Sequence, residues 1–333
     1  LVEHHAVRQA AGLFDLSHMA QLGLEGPQTG AALDYALLGL HSTMPLGRAS
    51  YSMLLAPDGG VVDDLIVYRL AEERYFVIAN AANHQTVVAE LAARTAPFEV
   101  RVTDLTSQAL IAVQGPAATR IMVAAGLEPA AALGYYRAVE TIWQGQPLIL
   151  ARTGYTGENG FEISCPQALA RQVWEQLLEA GQPEGLIPCG LAARDTLRLE
   201  AAMPLYGHEL DRDTTPVEGG QGAFVRPKEV DFVGKAGLAA REPRKHLVGL
   251  VGEGRRAARA GYPVLVDGQV RGRVTSGALS PTLGCPIALA FIENTETGVA
   301  EELTSGHPVQ VDIRGRLTPF QITDLPFYSK EKK

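Results

Sequence analysis

The chain is poor in three things. Cysteine occurs only at Cys165, Cys189 and Cys285 of 333 residues, an odd number, widely spaced and with no C-x-x-C pair. That argues against a disulfide framework or a structural zinc site and makes a reducing compartment the natural reading. Long hydrophobic runs are missing as well: no apolar stretch approaches the roughly 20 residues of a bilayer-spanning helix. Positive charge is the third shortage. Net charge is −8 and the pI about 5.5, with no long basic run, which argues against a nucleic-acid surface, since that would need clustered Lys and Arg. A few well-placed arginines would still suffice for a small anionic ligand.

What remains is a folded-protein composition, 46% hydrophobic and 20% charged with mean hydropathy +0.03, long enough for two or three domains. No signal peptide opens the chain. Residues 3–11 already read as a helix with nothing ahead to cap it, so a missing N-terminal segment is expected. Short strands alternate with amphipathic helices without a strict βαβ rhythm. Residues 14–24 read as a strand, 30–40 as a helix, 75–79 as a strand and 82–93 as a helix. Residues 110–113, 147–152 and 161–164 read as strands; 117–125, 167–180 and 190–201 as helices. Residues 240–245 are the best linker. Beyond them, short strands at 247–251, 263–266, 270–276, 287–292 and 309–313, punctuated by Gly, Pro and Asp, predict a small antiparallel barrel.

The most informative segment is 49–70, a β-hairpin turned by Pro57-Asp58-Gly59-Gly60. Side chains alternate along a strand, so Asp64, Ile66 and Tyr68 share one face and Asp63, Leu65 and Val67 the other. If Ala56 pairs with Val61, Met53 lies opposite Asp64 and Tyr51 opposite Ile66. Tyr51, Met53, Asp64, Ile66 and Tyr68 then form one patch, a carboxylate ringed by phenols and aliphatic carbon. A one-residue slip would exchange Asp64 for Asp63. A buried carboxylate costs several kcal/mol unless it is paired or hydrogen-bonded, so either a ligand or a local structural role must account for it.

A second segment, Arg152 to Glu162, carries Gly154, Gly157 and Gly160 in a spacing that fits neither the dinucleotide fingerprint nor a P-loop. Asn159-Gly160 marks a turn and explains the glycines, but not Tyr155 and Glu162 at the two strand mouths. A carboxylate beside an aromatic ring suits a planar edge with two parallel N–H donors, as in a pterin or guanine; an exposed structural Glu is the plainer reading. In Gly190 to Glu200, Arg194 and Arg198 lie at i and i+4, with Leu191, Leu197 and Leu199 packing elsewhere. They form either a carboxylate clamp or intrahelical pairs with Asp195 or Glu200. His4-His5, Ser17-His18 and His208-Glu209 lack the partners that catalysis or zinc would need.

Together these segments resemble one family, the T-protein of the glycine cleavage system. The matching stretches are Gly12 to Met19, Tyr51 to Tyr68, Val77 to Asn83, Arg152 to Glu162, Gly190 to Glu200 with Leu205-Tyr206-Gly207, and Thr275 to Gly284. The likeness runs from about Glu3 to Tyr328. It implies an α+β three-domain cloverleaf around a central folate channel, with residues 1–244 as the folate-binding region of two intertwined α+β domains and 245–333 as a C-terminal antiparallel β-barrel. It implies a tetrahydrofolate-dependent aminomethyltransferase that takes the aminomethyl group from the lipoylated H-protein, with no metal, membrane or nucleic acid involved. The setting would be bacterial cytoplasm, or the mitochondrial matrix in a eukaryote. The family's functional Asp corresponds to Asp64, its folate-contacting tyrosines to Tyr51, Tyr68 and Tyr155, its pterin-binding Glu to Glu162, and its Arg near the carboxylate end of folate to Arg194. Asn80 and Tyr328 also correspond to site positions. Demethylating relatives that accept a methylene group from a flavin domain, and non-catalytic folate-binding relatives with a Cys motif, are the alternatives within the fold.

Overall fold

The computed structural model describes residues 1–294 and 303–330. Two sheets and a barrel organise the chain. The first sheet runs in the order Leu186–Pro188, Ala11–Asp15, Gln108–Gln114, Gly160–Pro166, Gln146–Ala151, Ala138–Trp143. The second runs Ala49–Leu55, Val61–Ala71, Arg74–Ala79, Ala20–Glu25, Arg101–Asp104. All pairings are antiparallel except that between Ala11–Asp15 and Leu186–Pro188. The chain passes from one sheet to the other twice early on, so the two α+β halves are intertwined.

The single strand expected over 14–24 is in fact two, Ala11–Asp15 and Ala20–Glu25, one in each sheet. Between them the Asp15 side chain accepts from the Ser17 amide at 3.0 Å and Met19 N donates to Leu16 O at 2.9 Å, an Asx turn that breaks the run. The short strands Ala138–Trp143, Arg101–Asp104 and Leu186–Pro188 were not anticipated; all three lie at sheet edges, and the last two are too short to carry periodicity. Leu191, expected to pack, is exposed in the first turn of helix Leu191–Glu200, while Leu197 and Leu199 are buried.

Each sheet covers one face with helices. Ile121, Met122, Val173 and Leu177, from helices Ala118–Ala124 and Ala170–Gly181, pack on Leu13, Ile111, Val113 and Phe161 of the first sheet. Leu33, Val87 and Leu91, from Thr29–Ala36 and His84–Thr95, pack on Leu22, Leu65, Val67 and Val77 of the second. Side chains of opposite parity, Phe14, Leu110 and Ala112 from the first sheet and Tyr68, Phe76 and Ile78 from the second, meet in a shared core with Ala193 and Leu197. Any polar residue of that parity is therefore driven into the space between the sheets.

The C-terminal region closes as a barrel in the order Lys245–Gly252, Pro286–Glu293, Gln269–Leu279, Pro263–Val266, Pro308–Asp312, Leu317–Thr323. The sixth strand escaped the sequence reading because Pro319 sits inside it; Phe320 and Ile322 still point into the barrel core.

A buried carboxylate joins these parts. Glu200, fully buried at the end of helix Leu191–Glu200, accepts from Arg8 Nη2 at 2.8 Å, Ser280 Oγ at 2.5 Å, and the amide and hydroxyl of Thr282 at 3.0 and 2.7 Å. His4 Nε2 lies 3.2 Å away. Arg8 continues to Glu158 at 3.2 Å and stacks on Tyr328, 3.9 Å from its ring centre. Burial alone would raise the Glu200 pKa, but the hydrogen bonds from His4 and Ser280, the His4 charge and Arg8 together hold it down to about 2. A carboxylate so depressed contributes about 3 kcal/mol above its unfolded pKa, lost as pH falls from about 4.5 towards 2.

Glu200→Gln should therefore cost roughly 3–5 kcal/mol at neutral pH, because Arg8 would be left buried and underpaired. The stability difference between variant and parent should shrink in urea melts taken below pH 4. A pH-independent difference would exclude the ionic account.

Candidate active site

The hairpin turn is held by backbone bonds from Ala56 N to Gly60 O at 2.8 Å and from Gly59 N to Ala56 O at 2.9 Å, and by Asp58 Oδ1, which accepts from Gly60 N at 3.1 Å. A Cβ on Gly60 would fall 1.8 Å from Arg212 O, so the close approach of that segment demands glycine. Met53 lies opposite Asp64 and Tyr51 opposite Ile66, as parity requires. The turn itself differs: Leu55, not Ala56, pairs with Val61, and Val62 is an extra residue. Val61 N is drawn instead to Asp211 O and Thr214 O at 3.1 and 3.0 Å. The bulge sits on the turn side of Asp63, so the register of both Asp residues is preserved.

The two carboxylates part company. Asp63, fully buried, faces the second sheet's own helices and is saturated: Asn83 Nδ2 at 2.7 Å, Asn80 Nδ2 at 2.9 Å and Asn80 N at 3.1 Å all donate to it. Asp64 faces the shared core. Tyr51 Oη donates to its Oδ2 at 2.9 Å and Asn80 Nδ2 to its Oδ1 at 2.8 Å. Asn80 thus bridges the pair. Burial pushes Asp63 up to about 7, with Asn83 and Asn80 pulling it back and the Asp64 charge adding to the rise. Burial also raises Asp64, against the bonds from Tyr51 and Asn80. Tyr51 is pushed well above a free phenol by burial and by Asp64, so it stays a donor.

Glu162 comes from the facing sheet. It pairs with Ala112, a shared-core residue, while its neighbours Phe161 and Ile163 point to the opposite side. Its Oε2 accepts from Thr153 Oγ1 at 2.5 Å and from Tyr68 Oη at 3.5 Å. Its Oε1 takes no hydrogen bond among the described residues. A carboxylate only 7% exposed with one bare oxygen is an acceptor waiting for a donor. Burial and Glu162 together raise Tyr68 well above the ordinary phenol range.

Arg194 stands over the ring of Tyr155, 4.7 Å from its centre. No carboxylate oxygen of a described residue lies within 4.0 Å of it, and burial lowers its pKa against the attraction of Glu162. Tyr155 Oη donates to Pro204 O, which fixes the ring. Arg198 is different. It pairs with Asp195 at 2.7 Å and Glu209 at 3.0 Å, and donates to Ser276 Oγ of the barrel at 2.9 Å. The clamp of two arginines therefore reduces to one free guanidinium and one structural tie. Tyr328 belongs to the Arg8 cluster, donating to Glu158 Oε1 at 2.6 Å.

Two residues escaped the sequence reading. Thr153 holds Glu162, and a lone threonine carries no signal. Tyr136, at φ +55°, donates its amide to Arg152 O at 3.0 Å and accepts from Ala49 N at 2.9 Å, stitching the two sheets together. Burial chiefly, with the charges of Tyr135 and Glu162, raises its phenol above the ordinary range. The Tyr135-Tyr136 pair after Gly134 was the available clue.

Fold and site define a class: a three-lobed α+β protein with a C-terminal barrel and two interior carboxylates set on facing sheets. Residues 1–229 match the model of the GCVT N-terminal domain, and residues 245–329 that of the glycine cleavage T-protein C-terminal barrel domain. An aminomethyltransferase of Streptomyces avermitilis is 50% identical over 99% of this chain and 90% of its own length. One of Cutibacterium acnes is 49% identical over the same shares. The crystal structure of glycine cleavage system aminomethyltransferase T from Bartonella henselae superimposes with a TM-score of 0.90 at 36% identity, covering 98% of this chain and 89% of that one. The chain belongs to the glycine cleavage T-protein family.

Tyr51→Phe removes a donor that lowers the Asp64 pKa and should raise that pKa further. The carboxyl stretch of Asp64, followed by infrared difference spectroscopy across pH, reads this directly; an unchanged midpoint would mean that the Tyr51–Asp64 bond is not made in solution.

Proposed function

We propose that this chain is the aminomethyltransferase of a glycine cleavage system, with Asp64 at the centre of its chemistry. The substrate carbon is a methylene held between an amine nitrogen and the sulfur of a lipoyl arm on the H-protein. N5 and N10 of tetrahydrofolate each form one bond to that carbon, while its bonds to nitrogen and sulfur break. The two hydrogens released from N5 and N10 end on the amine, giving ammonia, and on sulfur, giving the dihydrolipoyl thiol. No oxidation occurs, and 5,10-methylenetetrahydrofolate results. The carbon passes through a cationic, iminium-like state, and a carboxylate in a low-dielectric interior stabilises such charge far better than one in water.

The observation that carries this reading is the pair Asp64 and Glu162, on facing sheets in one apolar interior. Glu162, with Oε1 bare, accepts the donor edge of the pterin; Tyr68 and Tyr155 line the ring; Arg194 takes an anionic group of the folate. Asp64 stands at the reacting nitrogens, with Tyr51 and Asn80 fixing its two oxygens. Asp63 is a positioning residue, acting through Asn80. In this reading residues 1–244 bind folate, and the barrel, residues 245–333, braces helix Leu191–Glu200. The matched relatives are bacterial, and the enzyme works in the cytoplasm.

Asp64→Asn should lower ammonia release from aminomethylated H-protein by about 10²–10⁴-fold, with tetrahydrofolate still bound. Near-normal turnover would sink the role given to Asp64. Asp63→Asn should cost less, falling on kcat rather than on the KM for folate, and Asn80→Ala should abolish the difference between the Asp63 variant and its parent. Independent, additive losses would show that Asp63 does not act through Asn80.

A further inference from the structure

We propose that Gln114 is a positioning residue for the reaction, bolting the 153–156 turn to strand Gln108–Gln114 so that Thr153 holds Glu162; the proposal rests on the pterin-binding role argued above for Glu162. Gln114 has the parity of Leu110 and Ala112, which face the shared core. Its side chain is carried inward with them and is 1% exposed. A buried amide must find partners or cost free energy, and this one finds both in a single turn. Its Nε2 donates to Thr153 O at 3.1 Å, and its Oε1 accepts from Thr156 Oγ1 at 2.9 Å. The Thr156 hydroxyl itself accepts from Glu158 N at 3.2 Å, which leaves its proton for Gln114.

The glycines of this segment show how closely the amide is fitted. A tight turn accounts for Gly157, at φ +78°, but Gly154 and Gly160 lie outside the left-handed region. A Cβ built on either would run into the carboxamide of Gln114 before any other group. Both positions therefore require glycine while that carboxamide lies against them. Gly160 is also the residue opposite Gln114 across the strand pair, two before Glu162.

What the bolt controls is Thr153. Its Oγ1 donates to Glu162 Oε2 at 2.5 Å and lies 3.2 Å from Tyr68 Oη. With Oε2 engaged in this way, Oε1 is the oxygen left for a ligand. Tyr155, in the same turn, has its own tie to Pro204 O. The influence of Gln114 therefore runs through Thr153 to Glu162.

The test measures equilibrium binding of tetrahydrofolate and ammonia release in the parent, Gln114→Met, Thr153→Val, the double variant and Glu162→Gln. Met keeps the volume of Gln114 and removes both of its bonds. Gln114→Met should raise Kd and KM for tetrahydrofolate about tenfold, the worth of one orienting bond. The kcat at saturating folate and the KM for aminomethylated H-protein should stay within about twofold of the parent, because only binding is lost. A merely structural loss would lower kcat through the folded fraction and leave Kd unchanged, and that result would overturn the proposal. Thr153→Val should weaken folate to a similar degree, and the double variant little further; additive losses would also overturn it. If Gln114→Met folds poorly, Gln114→Ala with Gly160→Ala refills the space, and the same rise in Kd is expected; an unchanged Kd there would again overturn it. Glu162→Gln keeps the two readings apart. A Kd untouched by Glu162→Gln would refute the pterin role and the proposal with it, whereas a Kd weakened there but not in Gln114→Met would refute the role of Gln114 alone.

Discussion

Much of this molecule depends on one buried anion. Glu200 is placed by the last turn of helix Leu191–Glu200, and everything that satisfies it comes from elsewhere: Arg8 and His4 from the N-terminal helix, Ser280 and Thr282 from the barrel. The same helix carries Arg194 towards Tyr155 and packs Leu197 between the sheets. The hydrogen bonds from the barrel to Glu200 therefore fall on the same helix that forms a wall of the candidate site. A purely apolar junction of similar area could be as stable, yet it would slide more readily. The fan of hydrogen bonds on Glu200 admits one docking geometry, and Arg198, reaching Glu209 and Ser276 from the same helix, repeats the device.

The second constraint is parity. Each sheet spends one face on its own helices, so the other faces must meet, and any carboxylate of the wrong parity for the helix side is carried into the middle. Asp64 and Glu162 are there for that reason. Desolvation raises Asp64, and the chain tolerates this because Tyr51 and Asn80 occupy its two oxygens. Glu162 is treated less generously: Thr153 and Tyr68 serve one oxygen and leave the other bare. That asymmetry separates a site that closes on itself from one that awaits a donor.

The hairpin was legible in the chain to the level of register, because alternation and a Pro-Asp-Gly-Gly turn are local signals. So were most helices and five of the six barrel strands. The bulge at Val62 was not, since its cause is a backbone more than a hundred residues away, at Asp211 and Thr214. The split of 14–24 into two strands turned on a single Asx turn within an apolar stretch. Spacing placed Arg194 and Arg198 on one helical face correctly but could not say which was already engaged, since Glu209 and Ser276 are partners fixed by tertiary structure. The likeness to a family gathered Tyr51, Asp64 and Glu162 into one list of site residues. Only three dimensions could show that Asn80 touches both aspartates.

That last contact separates the two aspartates: the first is saturated by amide donors, the second accepts one amide and one phenol. Neighbouring carboxylates on a strand point to opposite faces, so they do not collide, but each raises the cost of ionising the other. Asp63 is surrounded by amide donors from Asn80 and Asn83 and can do little except accept them. Asp64 shares only the amide of Asn80 and one phenol, both on the near side of the carboxylate, with aliphatic carbon and the facing sheet around it. A carboxyl group held this way has both oxygens fixed in position, with burial raising its pKa and the bonds from Tyr51 and Asn80 opposing the rise. The Asp63–Asn80 pair is thus best understood as the rigid backing of Asp64: the cost of burying two acids in adjacent positions is borne by the first so that the second keeps its orientation.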